Sequence, residues 1–92
     1  MYKLQAIVSG RVQRVMYRDF IKRKARKLNI RGFVQNLKDG KVLIEACGEK
    51  DALNTLLDFS KKGSLLARVD NIDFALHCVK TCDFDKKFYI KF

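Results

Sequence analysis

The sequence predicts an α+β fold in which two helices cover one face of an antiparallel sheet. Five short segments have the composition of strands, and in three of them apolar and polar residues alternate with a period of two. Two longer segments instead place their apolar residues on one helical face. The chain has 92 residues, of which 48% are hydrophobic, enough for one small core. We therefore expect residues 1–92 to form a single domain.

The first strand is predicted for residues 2–9. Tyr2, Leu4, Ala6 and Val8 alternate there with their neighbours, so that one face of the strand is apolar.

The two helices are predicted for residues 17–28 and 50–62. The first has Asp19 in its first turn, and its cations crowd the C-terminal half, an arrangement that the helix dipole favours. The second has a leucine-rich stripe and is followed by Gly63, a residue typical of a C-terminal cap.

The remaining strands are predicted for residues 30–37, 41–47, 67–78 and 88–92. The first two of these are joined by a short turn in which Gly40 can adopt a positive φ, so they form a hairpin. The last two show the alternation of a strand with one apolar face.

The resulting order is β-α-β-β-α-β with one extra C-terminal strand, which is typical of the ferredoxin-like fold. Because each helix has one apolar face, both can cover the same face of the sheet. We expect the first and third strands to be central and to run parallel to each other. This fold supports many unrelated functions, so the function has to be inferred from the site.

The charge of the chain predicts an anionic partner. Twenty Lys and Arg against ten Asp and Glu give a net charge of +10. This suits phosphorylated metabolites, nucleic acid or a membrane surface, although a basic surface can also simply keep a protein soluble. The first residues lack the apolar region of a signal peptide, and no apolar run approaches membrane-spanning length. We expect a cytoplasmic monomer that does not engage a membrane.

The three cysteines, Cys47, Cys78 and Cys82, are predicted to be reduced thiols. An odd number of cysteines without a secretion signal favours this state. His77, Cys78 and Cys82 could be part of a metal site, but a structural zinc site has four ligands and a fourth is not evident. We expect neither a metal nor a cofactor.

The segment Ser9–Arg18, between the first strand and the first helix, predicts an anion site. A strand-to-helix loop directs successive backbone N–H groups at one point, and the helix adds the positive end of its dipole. Arg18 stands at the mouth of this loop. Such a loop can hold an anion of the size of phosphate.

Two segments of the chain resemble the signature patterns of the acylphosphatase family. Residues 10–18, G-R-V-Q-R-V-M-Y-R, resemble the pattern G-x-V-Q-G-V followed by an aromatic residue and Arg. Residues 32–42, G-F-V-Q-N-L-K-D-G-K-V, with Gly48 further on, resemble the second pattern, in which a glycine, an aromatic residue and a valine precede an asparagine. The two patterns together are specific, and the resemblance covers essentially the whole chain.

The resemblance implies hydrolysis of a small-molecule acyl phosphate to a carboxylate and inorganic phosphate. In the family, the loop backbone and the loop arginine bind the phosphoryl group, and an asparagine orients the attacking water. By position, these last two roles fall on Arg18 and Asn36. The backbone role falls on six consecutive residues: Val12, Gln13, Arg14, Val15, Met16 and Tyr17.

The chemistry of acyl phosphates agrees with this assignment. The leaving carboxylate has a conjugate acid with a pKa of roughly 4, so it departs without a general acid. The phosphoryl transition state is loose, and catalysis needs an electropositive cradle and a water held in line. Asn36 can hold a water but cannot act as a base. The reaction needs no metal, and the lack of a nucleophile–base motif argues only against hydrolysis of unactivated esters.

Arg14 stands where the family pattern has a glycine, and this departure keeps two alternatives open. If the position requires a positive φ, a residue other than glycine costs about 1–2 kcal/mol, and a tilted backbone donor would slow the reaction. One alternative is therefore a weakened acylphosphatase-like domain that binds anions without turnover. The other is an RNA-binding domain. Such domains stack bases on aromatic residues of the central strands, and residues 42–47 contain none, so nucleic acid is not the partner we expect.

Overall fold

The computed structural model describes all residues 1–92 and contains the seven predicted elements in the predicted order. The strands are β1 (Tyr2–Arg11), β2 (Arg31–Asn36), β3 (Val42–Gly48), β4 (Arg68–Cys78) and β5 (Tyr89–Lys91). The helices are α1 (Tyr17–Lys27) and α2 (Lys50–Lys62). Neither helix is both long and apolar enough to cross a bilayer.

The five strands form one sheet in the order β4-β1-β3-β2-β5. The prediction that β1 and β3 are central is confirmed, but the prediction that they run parallel is wrong. Tyr2 pairs with Gly48 and Val8 with Val42, which is antiparallel pairing. The reason is the connection along the chain: the crossover through α1 leaves β2 running in the same direction as β1, and the hairpin then reverses β3.

The C-terminal strand makes the sheet mixed rather than purely antiparallel. β5 pairs parallel with β2, with Phe33 opposite Tyr89 and Gln35 opposite Lys91. All other neighbouring strands are antiparallel. β5 therefore carries the end of the chain towards the C-terminal end of β2.

A single core joins both helices to one face of the sheet, as predicted. Its sheet side consists of alternating residues of β1, β2 and β3: Leu4, Ala6, Val8, Val34, Val42, Ile44 and Ala46. Its helix side consists of Tyr17, Ile21, Ala25, Leu53 and Leu56. The strand residues follow the period of two and the helix residues the period of about 3.6, which is why the sequence predicted this core.

The other face of the sheet is partly covered by residues 79–87, which we call the strap. Phe84 of the strap packs edge to face against Phe33, with ring centroids 5.9 Å apart. Lys3 Nζ lies 5.7 Å from the centroid of the Phe84 ring. Because Lys3 and Phe33 alternate with core-facing residues, the strap lies on the face opposite the helices.

The strap is joined to β3 by a disulfide between Cys47 and Cys82. Their Cα atoms lie 6.0 Å apart, within the range that a disulfide spans. The prediction of three reduced thiols is therefore wrong for these two residues, whereas Cys78 is free and exposed. Composition could not reveal the pair, because Cys82 reaches β3 only through the path of the strap.

A β-bulge at the end of β1 sets the direction in which the chain leaves the sheet. The register with β4 shifts between Ser9 and Gly10, and Gly10 has φ 128°. A Cβ atom at Gly10 would overlap the carbonyl oxygen of Arg68. Glycine is thus required here both by φ and by the close approach of β4.

Candidate active site

The loop between β1 and α1 forms a cavity of about 260 Å³ beside the first turn of α1. Seven residues line it: Val12, Arg14, Met16, Tyr17, Arg18, Asp19 and Ile90. Five of the eight residues predicted for the site are among them. Gln13, Val15 and Asn36 are not among the lining residues, and the first two instead make contacts that hold the loop.

The backbone of the loop adopts left-handed conformations at two residues that are not glycine. Arg14 has φ 63°, and Met16 has φ 64° and ψ 18°. Arg14 therefore has the positive φ on which its expected conformational cost depends. Met16 is the N-cap of α1 and makes no side-chain capping hydrogen bond. Because the first N–H groups of a helix have no intrahelical acceptor, this end of α1 offers donors and a positive dipole to an anion.

Two hydrogen bonds from Gln13 and one from Ser64 anchor the loop to the rest of the fold. Gln13 Nε2 donates to the carbonyl oxygens of Leu37 and Lys41, each at 2.8 Å. Ser64 Oγ donates to the carbonyl oxygen of Val15 at 2.8 Å. The loop is thus fixed on one side to the β2–β3 hairpin and on the other to the chain that follows α2.

The side chain of Tyr17 is part of the core, so only its backbone is available to the candidate site. The ring is 1% exposed, and its hydroxyl donates to the carbonyl oxygen of Ser60 at 2.8 Å. Burial raises the pKa of Tyr17 above its ordinary value. Tyr17 therefore stays neutral and holds the start of α1 against α2.

Arg18 carries a positive charge at the cavity and forms no ion pair. No carboxylate forms an ion pair with it, and the neighbouring Asp19 pairs with Lys22 and Arg23 instead. Its guanidinium lies over the ring of Phe92, with the central carbon 5.1 Å from the ring centroid. Such a stack positions a guanidinium while leaving its N–H donors in its plane free.

Asn36 is the last residue of β2 and carries an unpaired acceptor. Its Oδ1 atom is buried and has no hydrogen-bond partner. A buried polar atom without a partner costs about 1–3 kcal/mol, so this atom is suited to accept from a bound water. Gln13 bonds to Leu37, the residue after Asn36, and β5 brings Phe92 to the level of Asn36. The loop, Arg18 and Asn36 therefore lie at the same end of the sheet.

Sequence reasoning missed three contributors to this region: Ser64, Ile90 and Phe92. None of them lies in either sequence pattern, and each reaches the loop through a contact between distant parts of the chain. The side chain of Gln13, by contrast, shapes the loop and does not line the cavity. No group of three or more His, Cys, Asp or Glu side chains comes together in a way that could hold a metal ion.

The relationship of the chain to known proteins agrees with this geometry. The sequence model of the acylphosphatase family matches residues 4–90. The chain belongs to the acylphosphatase family. An acylphosphatase from Deinococcus radiodurans is 49% identical over 71 residues, covering 77% of this chain and 82% of that one. An acylphosphatase from Clostridium beijerinckii is 40% identical over 92 residues, the full length of both chains.

The fold is likewise that of a solved acylphosphatase. The crystal structure of acylphosphatase from Bacillus subtilis superposes with a TM-score of 0.92 over the full length of both chains, at 33% sequence identity. This similarity includes the fifth strand and the segment before it, because the superposition covers 100% of each chain.

Proposed function

We propose that this chain hydrolyses acyl phosphates by holding the phosphoryl group between the loop backbone and Arg18 and by orienting water with Asn36. Membership of the acylphosphatase family makes hydrolysis of the carboxyl-phosphate bond its activity. The observation that supports the mechanism is the combination, around one cavity, of an uncapped helix N-terminus and an arginine without a carboxylate partner.

In the proposed step, the oxygen of a water attacks phosphorus, and the bond between phosphorus and the acyl oxygen breaks. The carboxylate leaves with the bonding electron pair, and the protons of the water end on phosphate and solvent. Because the carboxylate is a weak base, no side chain has to protonate it. Charge on the equatorial oxygens of the transferring group is stabilised by the N–H groups of residues 12–17 and by Arg18.

Asn36 has the atom that this role requires. Its buried Oδ1 lacks a donor, and a water between Asn36 and the phosphoryl group would supply one. An amide cannot remove a proton at neutral pH, so its contribution is positional. The proposal accordingly needs no metal and no cofactor.

We further propose that residues 1–92 act as one domain and as a monomer on a small-molecule acyl phosphate. A cytoplasmic location stays a prediction. The physiological acyl group is not specified by any closed pocket, since the cavity at the loop is small and open on the side of Met16, which is 69% exposed.

Steady-state kinetics on a synthetic acyl phosphate, with inhibition by inorganic phosphate measured in parallel, tests the two assigned side chains. We expect Asn36→Ala to lower kcat by about 10²–10³, the effect of losing one preorganised group, while the phosphate inhibition constant stays the same. Arg18→Ala should weaken phosphate binding and lower kcat, because the guanidinium binds both ground state and transition state. Gln35→Ala, at the neighbouring position of β2, is the matched control and should leave both constants unchanged. Turnover should persist with a chelator present.

Full turnover by Asn36→Ala would show that the water-orienting role is wrong. Loss of wild-type turnover on chelation would contradict the metal-free mechanism. If the wild-type chain binds phosphate but does not turn over the substrate, the weakened, anion-binding alternative is correct, and salt-sensitive RNA binding without turnover would favour the RNA-binding alternative.

A further inference from the structure

A second basic cavity lies at the opposite end of α1 from the loop between β1 and α1, residues 12–16, which we call the phosphate loop. It has a volume of about 360 Å³ and is lined by Arg26, Asn29, Ile30, Arg31 and Lys87. It shares no lining residue with the cavity at the loop. Arg18 and Arg26 are eight positions apart on α1, which corresponds to about 12 Å along the helix. We call this cavity the basic cleft.

The charges of the basic cleft are not compensated within the protein. Three of its five lining residues are cations and none is a carboxylate. Neither Arg26, Arg31 nor Lys87 forms an ion pair. The nearby C-terminal end of α1 contributes a partial negative charge of only about half a unit. The cleft is therefore suited to an anion with more than one charge.

Both arginines are held in place by the backbone of the chain's last third. Arg26 Nε donates to the carbonyl oxygen of Phe88 at 2.8 Å, and Phe88 is fully buried. Arg31 Nη1 donates to the carbonyl oxygen of Phe84 in the strap at 3.3 Å. Each guanidinium has five N–H donors, so each keeps donors for a ligand after this anchoring. Anchored guanidinium groups are well suited to bidentate contacts with phosphate oxygens.

We propose that the basic cleft is a second anion site, distinct from the active site, that takes a diphosphate or triphosphate group. A single phosphate group carries a charge of about −1.5 to −2 at neutral pH, less than the three cations present. A polyphosphate group matches that charge better, and the volume leaves room for more than one phosphate. No aromatic side chain lines the cleft, so it lacks a surface on which a base would stack. The phosphate groups, and not a base, are what this site recognises.

The test is a titration of ¹⁵N-labelled full-length protein with inorganic tripolyphosphate and, separately, monophosphate, both at 0.15 M ionic strength to screen diffuse attraction. We expect tripolyphosphate to shift the amide signals around residues 26–31 and residue 87. The double variant Arg31→Gln, Lys87→Gln should weaken this binding about tenfold or more, because it removes charge-assisted hydrogen bonds. Arg26 is left intact because its hydrogen bond to the buried Phe88 is short and part-buried, whereas the bond of Arg31 to Phe84 is longer and exposed. The control is Lys61→Gln, Lys62→Gln, which loses the same charge at the exposed end of α2 and should change the affinity less than about twofold.

Three results would overturn the proposal. The first is tripolyphosphate shifts confined to residues 12–18, which would mean that only the phosphate loop binds it. The second is an equal loss of affinity in the two double variants, which would reduce the effect to net charge. The third is an RNA oligonucleotide that displaces tripolyphosphate and binds more tightly at the same residues, which would make the cleft part of a nucleic-acid surface.

Discussion

Arg14 adopts the backbone conformation that the family glycine would adopt with less strain. Its φ of 63° lies in the left-handed region, where a residue with a Cβ atom is about 1–2 kcal/mol less favourable than in the right-handed one. The fold nevertheless keeps the loop geometry at this position. The hydrogen bonds of Gln13 and Val15 to the rest of the fold offset this conformational cost. In exchange, Arg14 adds a cation to the lining of the cavity.

We predict that Arg14→Gly leaves the fold unchanged but alters catalysis through charge. The free energy of unfolding should rise by no more than about 1 kcal/mol, since relief of the left-handed strain is partly offset by the greater freedom of glycine in the unfolded chain. KM for an acyl phosphate should rise several-fold, because one cation leaves the cavity. Arg14→Lys is the matched control that keeps the charge and should keep the wild-type KM.

Salt separates charge from geometry in this comparison. The difference in KM between the wild-type chain and Arg14→Gly should shrink at high ionic strength, where charges are screened. If the wild-type chain and Arg14→Gly have the same KM at both low and high salt, Arg14 has no part in substrate binding. A large rise in kcat would mean instead that the arginine holds a backbone donor out of position.

At the scale of elements, the loop between β1 and α1 is held by the hairpin of β2 and β3. The two bonds from Gln13 reach both sides of the β2–β3 turn, so they fix the loop relative to the strand that carries Asn36. The loop and Asn36 come from elements that are joined by no local sequence constraint. The side chain of Gln13 is what holds the two motifs next to each other.

We predict that Gln13→Ala lowers both stability and catalysis. Loss of one part-buried and one exposed hydrogen bond should reduce the free energy of unfolding by about 1–2 kcal/mol, and displacement of the loop should lower kcat/KM by up to about 10²-fold. Urea unfolding and steady-state kinetics measure the two effects. Gln5→Ala, on an exposed position of β1, is the control and should change neither. A stability loss without any change in kcat/KM would show that the hairpin contact is not needed for the site.

At the scale of the whole molecule, the disulfide ties the second half of the chain to the centre of the sheet. Cys47 and Cys82 are 35 residues apart, and the bond fixes the strap before it leads into β5 and Phe92. The strap has little regular structure of its own, so its position rests on this bond, on Phe84 and on Arg31.

We predict that removal of this bond destabilises the protein by about 2–4 kcal/mol. Cys82→Ser and reduction of the wild-type chain with dithiothreitol should produce the same fall in the free energy of unfolding. Cys78→Ser is the control and should unfold like the wild type. Thiol titration of the oxidised chain should find one free thiol. Three free thiols, or a midpoint unaffected by dithiothreitol, would contradict the bond.

The parts of the fold that depend on local periodicity could be predicted from the sequence, and those that depend on distant contacts could not. The bounds of both helices and all strands lie within two residues of the predicted ones. They could be predicted because burial on one face imposes a regular spacing on the apolar residues, as for Leu4, Ala6 and Val8 in β1. The direction of β1 relative to β3 was predicted wrongly, since alternation shows which face is buried but not which way a strand runs.

The same distinction applies to the site. The positions of Arg18 and Asn36 follow from two sequence patterns, and the left-handed φ at Arg14 follows from the glycine that the pattern expects there. The stack of Phe92 on Arg18 and the hydrogen bond from Ser64 to Val15 could not be predicted, because no local pattern in the sequence indicates them. Each joins residues that only the finished sheet brings together.

The place of β1 between β3 and β4 has a consequence for how the chain acquires its structure. Tyr2 pairs with Cys78 and Val8 with Ile72, so one edge of β1 pairs with a strand that is more than 60 residues away along the chain. Topologies dominated by such pairings fold more slowly than helical bundles of the same size. During synthesis, β1 therefore has an unpaired edge until residues 68–78 have left the ribosome, and an unpaired strand edge of this kind can pair with a strand of another chain.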